Sequence, residues 1–126
     1  MYSILIVDDN EIDLLIAKKN LEMSGKFGDI FVSSNGQDAL DSIEEINPDY
    51  VLLDINMPIL DGWGFLDSFG LDYLEDYRKP TVIMLSSSID EEDSKRALEN
   101  PSVSQYLVKP LNALKIQQFL DNNTLN

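Results

Sequence analysis

The amino-acid sequence predicts an α/β fold, a (βα)5 domain on a doubly wound five-stranded parallel sheet. Three observations predict it. Short runs rich in branched apolar residues recur along the chain: "SILIVD" at 3–8, "YVLLD" at 50–54, "TVIMLS" at 81–86 and "QYLVK" at 105–109, with a weaker "DIFVSS" at 29–34. Segments of helical periodicity separate these runs, and polar residues gather where the runs end. Continuous apolar strands alternating with amphipathic helices imply a parallel sheet covered on both faces.

The first run reads as a buried strand because apolar side chains fill both alternating faces. Asn10 can cap a helix that runs to about Ser24, and Gly25 stands where a C-terminal glycine belongs. Within that helix Ile12, Leu15, Ile16 and Met23 fall on one stripe. After the weaker strand, "GQDALDSIEEINP" (36–48) sets Leu40 and Ile43 at helical spacing and closes at Pro48. "DGWGFLDSFGLDYLEDYRKP" (61–80) is a third helix, made less regular by Gly64 and Gly70. "DEEDSKRALEN" (90–100) opens with acids that suit a helix N-terminus, and Pro101 bars its continuation. "LNALKIQQFLDNN" (111–123) groups Ile116, Phe119 and Leu120 as a final docking face.

Composition narrows the function classes. A chain of 126 residues with 44% apolar content holds one sizeable core, so a single domain over 1–126 is expected. Nine Lys and Arg against 23 Asp and Glu give a net charge of −14, which argues against nucleic acid or an anionic membrane as a direct partner. The chain has neither Cys nor His. Thiolate and imidazole catalysis and the usual zinc sites are thereby excluded, and any metal must accept oxygen ligands. The N-terminal apolar run lacks a basic lead and stops at Asp8, so it reads as neither a signal peptide nor a membrane span, and a cytoplasmic location is expected.

In sheets of this kind ligands bind beyond the carboxyl ends of the strands. Asp8 and Asp9 end the first strand, Asp54 the third, Ser86 the fourth and Lys109 the fifth, so all five are expected at one edge. Two carboxylates in contact repel by roughly 4 kcal/mol at an effective dielectric of 20. Such a cluster persists when a cation or a proton offsets the repulsion. With oxygen donors alone, Mg²⁺ is the natural ion, with Mn²⁺ as a substitute. Lys109 and Ser86 add a positive charge and a hydroxyl, parts that stabilise a transferring phosphoryl group.

Each residue also has a plainer reading. Asp8 and Asp9 suit a helix N-terminus, Lys109 a surface position, Ser86 a loop, and Tyr106 a half-buried strand position. Pro58, Asp61 and Gly62 read as a turn, and Trp63 is expected to pack against the sheet. Convergence on one edge weighs against these readings taken together.

At "VDDN" (7–10), "LLDINMPILDGW" (52–63), "LSSS" (85–88) and "YLVKP" (106–110) the sequence resembles the receiver domain of two-component response regulators, of the single-domain chemotaxis type. The resemblance covers essentially the whole chain and implies the flavodoxin-like strand order 2-1-3-4-5. It implies that Asp54 accepts a phosphoryl group from a phosphohistidine on a sensor histidine kinase or a histidine phosphotransfer protein. Asp9, Asp54 and the backbone carbonyl of Asn56 would ligate Mg²⁺, with Asp8 acting through water. Lys109 would pair with a phosphoryl oxygen, Ser86 and Tyr106 would form the switch, and Asn56 and Ser88 would tune the phosphate lifetime. The output surface would be the fourth helix, fifth strand and fifth helix. With no effector domain after the fifth helix, the signal would pass to a downstream protein target, or the chain would serve as a phosphate relay or sink.

Two other classes stay in view. An aspartyl phosphatase on a similar sheet wants a second acid two residues after the nucleophile, and position 56 is Asn. A flavodoxin-like cofactor binder wants a Gly-rich or hydroxyl-rich loop after the first strand, where this chain has "DDNEID". A switch that catalyses its own phosphorylation and dephosphorylation, rather than a turnover enzyme, fits best.

Overall fold

The computed structural model describes residues 1–72, 80–87 and 89–124. Its elements run β1 (Tyr2–Val7), α1 (Glu11–Ser24), β2 (Phe27–Ser33), α2 (Gly36–Ile46), β3 (Tyr50–Leu53), α3 (Gly62–Asp72), β4 (Thr81–Ser86), α4 (Glu91–Glu99), β5 (Val103–Val108) and α5 (Ala113–Thr124). The strands form one parallel sheet in the order β2-β1-β3-β4-β5. The sequence-based order and (βα)5 alternation both hold. Residues 73–79 of the expected third helix, and Ser88, lie outside the described residues.

Why the strands read as unbroken apolar runs is visible in the packing. Along β1, Leu5 and Val7 join one core with α2, α3 and α4, while Ile4 and Ile6 join the other with α1 and α5. The same alternation divides Val51 and Leu53 from Tyr50 and Leu52 on β3, and Val82 and Met84 from Ile83 and Leu85 on β4. Each such side chain contributes about 1.5–3 kcal/mol on burial, which offsets the conformational entropy of ordering the strand.

The helix termini follow local chemistry. Asn10 accepts hydrogen bonds from the N–H groups of Ile12 and Asp13, and Gly25 closes α1 at φ 71°. Asn35 caps α2 by accepting from Asp38 N–H, and Asp90 caps α4 by accepting from Glu92 N–H. One expectation is corrected: the stripe of Ile12, Leu15, Ile16 and Met23 faces solvent, with Ile12 69% and Met23 74% exposed. The face of α1 that packs on the sheet is the opposite one, Leu14, Ala17 and Leu21. Both faces of α1 are apolar, so periodicity alone does not choose between them.

Candidate functional site

The strand order places β1 and β3 side by side, with the chain leaving them in opposite directions, which opens a crevice at their carboxyl ends. Parallel register sets Val7 beside Leu53, so Asp8 and Asp54 emerge next to each other. The ladder continues one step further: Asp54 N–H donates to the Val7 carbonyl at 2.9 Å, and Asp8 N–H donates to the Ser33 carbonyl at 3.0 Å. On the other side of β3, Ser86 ends β4, and its carbonyl accepts from Lys109 N–H at 2.8 Å. The Lys109–Pro110 peptide is cis. From α5, the Lys115 ammonium donates to the carbonyls of Val108 and Pro110, holding the chain that carries Lys109.

The loop between β3 and α3 folds back over this edge because two glycines permit close contact. Gly62 N–H donates to the Ile55 carbonyl at 2.8 Å, and a Cβ on Gly62 would lie 3.0 Å from Ile55 Cα and closer still to the Asp54 carbonyl oxygen. A Cβ on Gly36 would lie 2.6 Å from the Leu60 carbonyl oxygen, which accepts from Gly36 N–H. The turn expected at Pro58 to Gly62 is thus pinned to the start of α2.

The five residues expected at one edge do meet there. Asp8, Asp54 and Ser86 are buried, and Asp9 is exposed at the rim. Lys109 Nζ lies 2.7 Å from Asp8 Oδ2 and 3.3 Å from Asp54 Oδ2. The other oxygens are also engaged: Asp8 Oδ1 accepts from Asn10 N–H at 2.9 Å and Asp54 Oδ1 from Ile55 N–H at 2.8 Å. Asn56 sits exposed two residues on, and Tyr106 is half-buried against the core that contains Val7, Phe65 and Met84. Trp63 packs against the same core, as expected, and carries the Arg96 guanidinium over its ring.

One participant was missed in the sequence. Asp13, in the first turn of α1, lies 2.8 Å from Lys109 Nζ. A signal was available: Asn10 and Asp13 stand at capping-box spacing, which puts Asp13 at a helix N-terminus, and the fold brings that terminus to the strand ends. Three carboxylates, Asp8, Asp13 and Asp54, therefore contact the Lys109 ammonium among the described residues, and Asp9 groups with Asp8 and Asp54 beside it.

Electrostatics follow from this crowding. Burial pushes the Asp54 carboxyl up to about 6, the Asp8 charge adds to the rise, and Lys109 opposes it. Burial pulls the Lys109 ammonium down, but hydrogen bonds to Asp13 and Asp8 and the charges of Asp54 and Asp8 outweigh it and hold the pKa above its ordinary value. Oxygens of Asp8, Asp9 and Asp54 lie within 4.8 Å of one another, a spacing that suits a single hard cation bound by carboxylates and water. No helix among the described residues is long and apolar enough to cross a membrane.

Comparison with known proteins agrees with this architecture. The family model for the response regulator receiver domain matches residues 4–121. A protein-glutamate methylesterase/protein-glutamine glutaminase of Syntrophomonas wolfei is 34% identical over 114 residues, 85% of this chain and 29% of that protein. The chain spans 24% to 42% of the length of curated relatives such as this one. A two-component response regulator from Cytophaga hutchinsonii superposes with a TM-score of 0.85 at 26% identity, over 98% of this chain and 97% of that one. The Mn²⁺-bound form of response regulator Rcp1 does so with a TM-score of 0.77 at 25% identity, over 100% and 96%. With the strand order, the acidic corner and a family match along nearly its full length, the chain belongs to the response regulator receiver domain family of two-component signalling proteins.

Proposed function

We propose that this chain accepts a phosphoryl group onto Asp54 from the phosphohistidine of a sensor histidine kinase or a histidine phosphotransfer protein. The observation that carries the reading is the corner itself, a buried Asp54 carboxylate grouped with Asp8 and Asp9 and facing the Lys109 ammonium. An Asp54 oxygen attacks the phosphorus, and the P–N bond of the donor breaks with its electron pair left on the imidazole nitrogen. An acyl phosphate forms. With its carboxyl near 6, Asp54 is largely ionised at pH 7 and needs no base to act as the nucleophile.

Asp9, Asp54 and the Asn56 carbonyl would hold Mg²⁺, or Mn²⁺ in its place, and Asp8 would act through water, a reading supported by the grouping of Asp8, Asp9 and Asp54 oxygens within 4.8 Å of one another. When bound, the ion neutralises charge on the phosphoryl oxygens. Lys109 pairs with one phosphoryl oxygen and the Ser86 hydroxyl with another, and Tyr106 moves inward behind Ser86. Asn56 and Ser88 tune how long the phosphate lasts. The change is read at the surface of α4, β5 and α5 by a protein target, with no nucleic acid contact and no membrane insertion. The unit is one domain over residues 1–126, acting in the cytoplasm as a switch that catalyses its own phosphorylation and dephosphorylation.

Intact-mass spectrometry after incubation with acetyl phosphate and Mg²⁺ tests this. One added phosphoryl mass is expected in wild type, absent from Asp54→Asn and absent with EDTA. An unlabelled wild type, under conditions that label another receiver domain, removes the phosphoacceptor assignment.

A further inference from the structure

Lys109 is shared among three carboxylates, and they do not hold it equally. Its Nζ lies 2.7 Å from Asp8, 2.8 Å from Asp13 and 3.3 Å from Asp54, so the two short contacts draw the ammonium away from Asp54. Asp8 has other duties, because it is buried and its second oxygen accepts from Asn10 N–H. Asp13 differs: its side chain is 33% exposed, so water can take over its oxygens when the ammonium leaves. Its place is set locally, since Asp13 N–H donates to the Asn10 side chain at 3.0 Å and fixes the first turn of α1 against the strand ends.

We propose that Asp13 is a positioning residue for Lys109: it competes with Asp54 for the ammonium and sets how much of that charge reaches an arriving phosphoryl group. This rests on Asp54 being the phosphoacceptor. A carboxylate at 2.8 Å cancels part of the ammonium's positive charge and anchors it on the α1 side of the corner. Release of Asp13 frees the ammonium to move toward the phosphoryl oxygens, where negative charge accumulates.

The test uses the whole chain with acetyl phosphate and Mg²⁺, following intact mass with time. Asp13→Asn is expected to speed phosphorylation by about twofold to fivefold, the worth of a part-exposed ion pair. Asp13→Glu, which keeps the charge, is expected close to wild type. So is Glu11→Gln, which removes a charge from the same helical turn away from Lys109. In a Lys109→Ala background the Asp13→Asn effect is expected to vanish. A second readout, independent of phosphate, is the ¹H–¹⁵N signal of the Lys109 ammonium, which is expected to shift and to exchange faster with water in Asp13→Asn but not in Glu11→Gln. A labelled wild type with an unchanged or slowed Asp13→Asn overturns the proposal alone. An effect that persists without Lys109 also overturns it, because Asp13 then acts only by repelling the anionic donor. If wild type takes up no phosphoryl group, the Asp54 reading fails and this proposal falls with it, a result recognisable because every variant is then unlabelled.

Discussion

The guanidinium of Arg96 lies 4.1 Å from the centre of the Trp63 ring, joining α4 to the start of α3. Trp63 is the chain's single tryptophan, so this contact has its own optical signal. A cation–π contact at a partly exposed site is worth about 0.5–1 kcal/mol. Arg96→Ala is expected to lower stability by that amount and to alter the emission of Trp63 in the folded protein. Fluorescence-monitored urea unfolding reads both. Arg96→Lys should retain part of the stability, since the charge remains while the planar stacking is lost.

The pH dependence of the metal-free protein follows from Asp54. Its carboxyl moves from an ordinary 3.8 to about 6 on folding, so between these values the folded state holds a proton that the unfolded state has lost. Stability conferred by that proton is therefore lost as pH rises through the window. Asp54→Asn keeps a neutral group there at every pH. In EDTA the variant is expected to exceed wild type by roughly 1–3 kcal/mol at pH 7 and to converge with it below pH 4. Chemical denaturation at pH 4, 5, 6 and 7 gives the comparison, and a constant difference across that range would refute the assignment of the strain to Asp54.

Divalent cation should act on the same strain with the opposite preference. Asp8, Asp9 and Asp54 place oxygens within 4.8 Å of one another, and an ion bound there stabilises the folded state by mass action. Millimolar Mg²⁺ is expected to raise the melting temperature of wild type by several degrees. Asp9→Ala and Asp54→Asn should each lose most of that rise. A Mg²⁺-independent melting temperature in wild type would argue against the site.

Gly62 makes a backbone claim that can be checked separately from any chemistry. A Cβ there would collide with the Asp54 carbonyl and sit 3.0 Å from Ile55 Cα, so the loop over the site must shift. Gly62→Ala is expected to cost more than about 2 kcal/mol and to weaken Mg²⁺ binding. At Gly70, later in α3, a Cβ would meet only Ser102 Oγ, at 3.5 Å, among the described residues. Gly70→Ala should therefore gain about 0.5–1 kcal/mol from helix propensity alone. Thermal melts of the two variants separate a steric requirement from a general effect of adding a methyl group.

Much of this protein is written in residues that lie close together along the chain. Branched apolar runs make the strands, Asn10, Asn35 and Asp90 begin helices, and Gly25 ends one, because each acts on backbone groups a few residues away. The polar residue that follows or ends each apolar run marked the edge where Asp8, Asp54, Ser86 and Lys109 meet, since parallel strands must all end on the same side. What local pattern left open was every choice between distant partners. The α1 helix has two apolar faces, and packing of Leu14, Ala17 and Leu21 against the sheet left Ile12 and Met23 in solvent. Arg96 could meet Trp63 only after α3 and α4 had come together on one side of the sheet. The Lys109 ammonium had several acids within its reach, and 96 residues separate it from Asp13. Coulombic attraction falls with distance and not with position in the chain, so the assembled fold alone decided which carboxylates hold it.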